Sequence, residues 1–380
     1  MSRKKIAVNA RFLLSGKLEG IGGYTWEVAR RLAEKHPEVD FIFLFDRPFD
    51  RRFIPSDNVR GVVIPPPARH AWLWWAWFEA SLPIAFQRLK PDAFFSPDGY
   101  CSLRAGTPTV MVTHDLAHIH YPGQIPAWAR RYYDKWTPLF CRRAERIIAV
   151  SDFVKEDIIH QYGIAPDKIS VAGNGCRPEF IPLSEAEKQA ARQRFADGRP
   201  YFFYLGALHP RKNLPGLIRA FDLFKQRTDS PCKLLIGGRF AWQTGEIKTA
   251  VEQAAHREDI RFLGYVGHQD LPALMGGALA LTYVSLFEGF GVPILEAMHC
   301  DVPVITSNTA SMPEVAGNGA VLVDPLSHVE IANAMERIYL QPELRRDLVT
   351  AGRQQRDRFS WDATADIIWE VIGRVVSRKW

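Results

Sequence analysis

Short, continuously apolar runs alternate with stretches whose apolar positions recur at helical spacing. In the first half the runs fall at 5–10, 41–45, 62–65, 93–96, 109–113, 147–150 and 169–172. Most are bounded by Gly, Pro, Asp or Asn, and they are too evenly apolar for strands with one wet face. That pattern predicts a parallel sheet covered on both sides. Helices fit between the strands; residues 22–35, with Tyr24, Val28 and Leu32 on one face, are an example. A polar stretch at 183–200, ending in Gly198-Arg199-Pro200, breaks the rhythm. The alternation then resumes, with strands expected at 201–205, 233–236, 261–263, 280–284, 302–306 and 321–323, and an amphipathic helix at 361–376. Two consecutive α/β series, each long enough for its own core, predict two doubly wound domains. Ligands of such sheets lie outside the carboxyl ends of the strands, so a cleft between two facing domains is the expected site.

Composition narrows the classes. Of 380 residues, 47% are hydrophobic and 24% charged, which excludes a disordered chain or a collagen-like repeat. The net charge of +6 allows contact with phosphates or an anionic membrane without requiring nucleic acid. Cys101, Cys141, Cys176, Cys232 and Cys300 are odd in number and far apart, which speaks against a disulfide framework or zinc ribbon and for a reducing compartment. The N-terminal MSRKKIAVNARFLL has the flavour of a signal sequence, but Asn9 and Arg11 interrupt it and it reads better as a first strand. No uninterrupted apolar stretch is long enough to span a membrane.

The densest chemical signal is Glu288-Gly-Phe-Gly-Val-Pro-Ile-Leu-Glu296. Gly289 and Gly291 permit a sharp turn and close approach of a ligand, and Pro293 suits the first position of a helix. The amides before that helix form an anion site, flanked by Glu288 in front of the loop and Glu296 in the expected first turn. The pair suits the hydroxyls of a sugar nucleotide. The plainer alternative makes Glu296 a complement to the helix dipole and Glu288 a solvated loop residue. In Gly206-Ala-Leu-His-Pro-Arg-Lys-Asn213, Arg211 and Lys212 precede a helix start, where cations are mildly unfavourable unless an anionic ligand binds there. His114-Asp-Leu-Ala-His-Ile-His120 invites a metal hypothesis with His114, Asp115, His118 and His120 as ligands, although no second cluster accompanies it.

The segment FEGFGVPILEAMHCDVPVITSNTASMPEVAGNGAVLVDP, carrying Glu288 and Glu296 eight positions apart, resembles the signature of the retaining glycosyltransferase family 4, of GT-B fold. The likeness extends to Gly20–Gly23, Thr113-His114-Asp115, Ser151-Asp152-Phe153, Asn174-Gly175 and Gly206–Asn213. It implies an N-terminal Rossmann-like acceptor domain at 1–182, rejoined by the terminal helix within 361–380, and a donor domain at 183–360, facing each other across a cleft. It implies that Glu296 binds ribose, that Glu288 binds the transferred sugar, and that Gly22, Gly23, Gly206, Gly289, Phe290, Gly291 and Val292 line the donor. Arg211 and Lys212 would neutralise the departing diphosphate. His114, with Asp115 beside it, would meet Glu288, Arg211 and Lys212 when the domains close. Ala207 departs from the pattern, since many relatives have arginine there; Arg211 or His209 would take over its duty. The expected reaction is transfer of a hexose, mannose on a loose likeness to bacterial polysaccharide enzymes, from a GDP- or UDP-sugar to a glycan or lipid-linked glycan hydroxyl. No cofactor and no metal are expected. Whether a carboxylate attacks or the leaving phosphate takes the proton stays open.

Two aromatic segments bear on the partner. Trp72, Trp74, Trp75 and Trp77 cluster in 71–78, and Arg130 and Arg131 lie among aromatics in 128–136. One reading is core packing with a solvated basic face. The other is a peripheral membrane surface at the cytoplasmic face, because rings favour the interface and basic side chains favour anionic lipid. No RNA-binding motif is present. A non-catalytic nucleotide-sugar subunit, an epimerase and a phosphorylase are alternatives on the same fold; the paired glutamates argue against the epimerase.

Overall fold

The computed structural model describes residues 3–16, 18, 20–239 and 245–377. The chain divides into two compact units, Met1–Asn174 with Ser360–Trp380, and Gly175–Phe359.

The first unit holds a parallel sheet of β1 (Lys5–Asn9), β2 (Asp40–Phe45), β3 (Val59–Val63), β4 (Ala93–Ser96), β5 (Thr109–Thr113), β6 (Arg146–Ala149) and β7 (Ile169–Val171), in the order β3-β2-β1-β4-β5-β6-β7. Val8 stands opposite Phe43 of β2 and Phe95 of β4, and all three are fully buried. This is why the strands are uniformly apolar: helices cover both faces. The helix Ile21–Lys35 buries Tyr24, Val28 and Leu32. The terminal helix Trp361–Ser377 packs beside it: Lys35 bonds Asp366 at 2.8 Å, and His36 stacks on Trp369 with centroids 3.7 Å apart.

The second unit holds β8 (Tyr201–Leu205), β9 (Lys233–Gly237), β10 (Ile260–Gly264), β11 (Ala280–Tyr283), β12 (Val304–Ser307) and β13 (Ala320–Val323), parallel in the order β10-β9-β8-β11-β12-β13. Phe203 sits between Leu235 and Leu281. In both sheets the strand order reverses beside the first strand of the set, β1/β4 and β8/β11. Those are the switch points at which loops diverge and leave a crevice.

Three expectations need correction. The unit boundary falls at Asn174/Gly175 rather than 182/183, because the intervening segment packs into the second unit: Arg177 pairs with Glu296, and Leu183 lies against Gly276. The polar stretch after it is a helix, Glu185–Ala196, opened by a Ser184/Glu187 capping box. The third strand runs Val59–Val63 rather than 62–65; it is an edge strand whose Arg60 hides the pattern, and Pro65 stops it.

Candidate functional site

At the second unit's switch point two loops are tied together. After β8 the chain makes a short 3₁₀ turn at Pro210–Lys212, reverses through Asn213 in left-handed conformation, and starts the helix Leu214–Thr228. After β11 it runs through Ser285–Gly291 into the helix Val292–His299. The Leu286 amide donates to the Arg211 carbonyl at 2.8 Å, and Asn213 Nδ2 donates to the carbonyls of Val284 and Pro325 at 3.1 and 2.6 Å. Ser311 Oγ donates to the carbonyls of Glu288 and Phe290 at 2.9 and 3.0 Å, fastening the glycine turn from below. Gly291 has φ +99°, a conformation L side chains rarely adopt.

This framework brings together residues more than seventy positions apart. Lys212 Nζ donates to Glu288 Oε1 and, at 3.1 Å, to the hydroxyl of Tyr283. All three side chains are buried. Burial pushes the Glu288 carboxyl up, but the Lys212 ammonium and Arg211 guanidinium outweigh it and hold the group below its usual value. Arg211 is therefore close enough to act on the same carboxylate. The arrangement is a desolvated anion flanked by two cations, at the mouth of a helix start. It can exchange partners, cations to a phosphate and carboxylate to a hydroxyl, without leaving a buried charge alone.

Glu296 sits further along. It is the fifth residue of its helix, not in the first turn, and Pro293 is the second, because the helix starts one residue earlier than expected, at Val292, directly after Gly291. Its side chain is 6% exposed and its carboxylate is gripped by Arg177 Nη2 at 3.1 Å. Burial raises it above its ordinary value against the pull of that guanidinium. Arg177 and Tyr283 escaped the sequence reading: the Arg177–Glu296 pair joins residues 119 apart, and nothing local in either segment announces it. Gly206 has φ +154°, its amide bonds the Gly237 carbonyl, and Ala207 is exposed.

In the first unit, Gly20 has φ +51° and precedes the helix Ile21–Lys35, so Gly22 and Gly23 lie in its first turn. The switch point between β1 and β4 carries a pair that sequence reading also missed. Arg11 Nη2 donates to Asp98 Oδ2 at 2.6 Å, both nearly inaccessible, with the guanidinium over the rings of Trp77, Phe78 and Tyr100. His114 follows β5; its Nε2 donates to the Pro97 carbonyl at 2.7 Å and its ring meets Tyr24 edge-on. Burial lowers its basicity, against the raising effect of the Pro97 carbonyl, Asp115 and Asp98. Asp115 accepts from the Ala117 amide and opens the short helix Ala117–His120. The other imidazoles diverge: His118 bonds Tyr162 at 3.0 Å and His120 bonds Asp157 at 2.8 Å. Among the described residues no group of three or more His, Cys, Asp or Glu converges to hold a metal ion.

The tryptophan cluster splits. Trp77 is fully buried with Nε1 donating to the Ile64 carbonyl, so its expected place at a membrane surface is overturned. The helical segment 71–89 widens to a π turn at Trp77–Ser81, which accommodates the large rings of Trp77 and Phe78. Trp74 is half-buried among Tyr100, Trp128, Tyr132 and Tyr133. Trp72, Trp75 and Trp128 are 68%, 38% and 48% exposed, and Arg69, Arg104, Arg130 and Arg131 are exposed too. No described helix is long and apolar enough to cross a membrane.

Comparison with known proteins gives these sites a family context. A model described as "Glycosyl transferases group 1" matches residues 185–355, and one described as "Glycosyltransferase Family 4" matches 18–180. The chain is 31% identical over 370 residues to the O-antigen chain mannosyltransferase B of Escherichia coli, covering 91% of this chain and 93% of the relative. Among solved structures it is similar to the sucrose-phosphate synthase from Thermosynechococcus elongatus, with TM-score 0.80, 18% identity, and 99% and 100% of the two chains covered. It is also similar to Anabaena Alr3699/HepE in complex with UDP and glucose, with TM-score 0.76, 18% identity, and 98% and 100% covered. At such identities the structural likeness bears on the fold, which is that of GT-B glycosyltransferases.

Proposed function

From a chain that belongs to the group 1 (family 4) glycosyltransferases, we propose an enzyme that transfers a hexose, mannose in the first instance, from a nucleotide diphosphate sugar to a hydroxyl of a surface-polysaccharide glycan, with retention at the anomeric carbon. The observation that carries this reading is the Lys212–Glu288 pair at the second unit's switch point, with Arg211 alongside. In it, Glu288 accepts from hydroxyls of the sugar, while Arg211 and Lys212 turn to the diphosphate and stabilise the charge that grows on it. The anomeric carbon–oxygen bond to the diphosphate breaks. The acceptor oxygen bonds to that carbon on the same face, and its proton passes to the leaving phosphate. Glu296 accepts from the ribose hydroxyls. The first unit takes the acceptor at its own switch point.

The mannosyl and surface-polysaccharide assignments rest on the name of the Escherichia coli relative, which is similar over nearly its whole length. The test is nucleotide release from GDP-mannose, with UDP-glucose as comparison, with and without a mannose-containing glycan acceptor. Acceptor-dependent release from GDP-mannose supports the reading; release from neither donor contradicts it. No metal enters this scheme, so EDTA-treated protein should keep its turnover; activity lost to EDTA and restored by zinc would return the histidine segment to consideration.

The acceptor side includes a peripheral contact with anionic lipid. Exposed Trp72, Trp75 and Trp128 beside Arg69, Arg104, Arg130 and Arg131 support it, each basic side chain contributing about 1 kcal/mol at such a surface. Sedimentation with phosphatidylglycerol vesicles should fall several-fold in a W72A/W75A variant that keeps its thermal melt; equal sedimentation removes this contact.

A further inference from the structure

The two glutamates of the donor site are held by different partners. Glu288 has Lys212 and Arg211. Glu296 has a single guanidinium, that of Arg177, which comes from the segment immediately after the unit boundary. That guanidinium is itself fixed on several sides. Its Nη1 donates to His268 Nδ1 at 2.7 Å, it lies over the ring of buried Phe180 at 4.9 Å, and Glu179 stands 3.9 Å away. A cation so restrained holds what it bonds to in one place. No donor among the described residues reaches Glu296 Oε2.

We propose that Arg177 is the positioning residue for the nucleoside end of the donor site: by bonding Oε1 it holds the Glu296 carboxyl group in one orientation and leaves Oε2 to accept the ribose hydroxyls. His268 completes the device by holding Arg177. The inference rests on the ribose role of Glu296 given above and adds residues that its motif does not contain.

The electrostatics agree. Among the described residues the charged and titratable groups around Glu296 are Arg177 and Glu179 from the boundary segment, Cys176 beside them, and Cys300 just past the end of its own helix. Among the described residues Arg177 is the one cation acting on the carboxyl; burial and Glu179 act in the opposite sense. Without Arg177 the carboxyl would take up a proton at higher pH, and a protonated Oε2 is a poorer acceptor.

The experiment is calorimetric titration with whichever of GDP, UDP, ADP and dTDP raises the melting temperature of the wild-type chain, repeated from neutral pH down into the acidic range, the direction in which a carboxylate takes up its proton. At neutral pH, Arg177→Met should weaken binding about tenfold, the scale of losing a hydrogen bond made to a charged group. The loss should deepen as pH falls. Arg177→Lys should restore the wild-type pH profile. Glu296→Gln should bind weakly at every pH, and adding Arg177→Met to it should cost nothing more. Wild-type affinity and pH profile in Arg177→Met, or an equal loss in the Glu296→Gln background, would overturn the proposal. Wild-type affinity in Glu296→Gln would instead sink the ribose role, and binding of none of the nucleotides would sink the proposed function itself. Should Arg177→Met lose its cooperative melt, His268→Ala takes its place: it removes only the second contact of the guanidinium and should weaken binding most at low pH, an unchanged profile again overturning the inference.

Discussion

At the scale of single residues, the chemistry is carried by charges taken out of water in matched sets. A lysine and a glutamate buried together gain little net stability over an apolar pair, but breaking the pair strands a charge at about 3–5 kcal/mol. Lys212→Met, which leaves Arg211 as the remaining cation acting on Glu288, should therefore destabilise the chain by up to about that amount at neutral pH. The sign of its pH dependence follows from Glu288. In the wild type its carboxyl is held low, so it adds stability that is present above the ordinary carboxylate value and is lost as pH falls through the folded one. In Lys212→Met the lysine's share of that offset is gone and burial pushes the carboxyl up. The deficit between variant and wild type should shrink on acidification, as urea denaturation at several pH values would register; a constant deficit would mean that the two groups are not coupled. The glutamates were legible in the sequence because both fall in one loop-helix segment with glycines between them. Arg177, Tyr283, Arg11 and Asp98 were not, since each acquires its meaning from a partner on another strand or loop.

At the scale of elements, the strand pattern was readable because burial on both faces leaves no polar alternation, and every interior strand lies within two residues of where its apolar run put it. Edge strands obey a different rule, and β3 with Arg60 was displaced for that reason. Helix starts were misjudged where a glycine sets them: Gly291 put Glu296 one position beyond the expected first turn. The tryptophans show the limit of periodicity. Trp74, Trp75 and Trp77 look alike in sequence, yet a π turn directs Trp77 inward while Trp75 remains at the surface under Arg104. Close packing of loops also fixes residues that carry no chemistry. Gly238, at φ +151°, lies so near the Gly206 carbonyl that a Cβ there would stand 1.8 Å from its oxygen. Gly238→Ala should displace the loop after β8, lowering the melting temperature and weakening nucleotide binding together, with about 1–3 kcal/mol from backbone strain alone. A variant with normal melt and normal affinity would show that the two loops move independently.

For the whole molecule, the division into two α/β units was foreseeable from the doubled alternation, whereas the place of the boundary was not. It is decided by which unit's side chains Gly175–Leu183 touches, and those contacts are long-range. The terminal helix illustrates the same point at larger separation: it joins the first unit through Lys35, His36 and Tyr24, more than three hundred residues earlier. Each unit offers polar groups at the point where its strand order reverses, Arg11 and Asp98 in one and Lys212, Arg211 and Glu288 in the other. The functional account depends on the second of these. Its most direct test is the steady-state rate of nucleotide release from GDP-mannose in the presence of acceptor, measured for Lys212→Ala alongside the affinity for GDP. The account predicts turnover lower by about two orders of magnitude or more, the typical loss when one preorganised charge stabiliser is removed, in a protein that still binds GDP. Turnover near that of the wild type would contradict it.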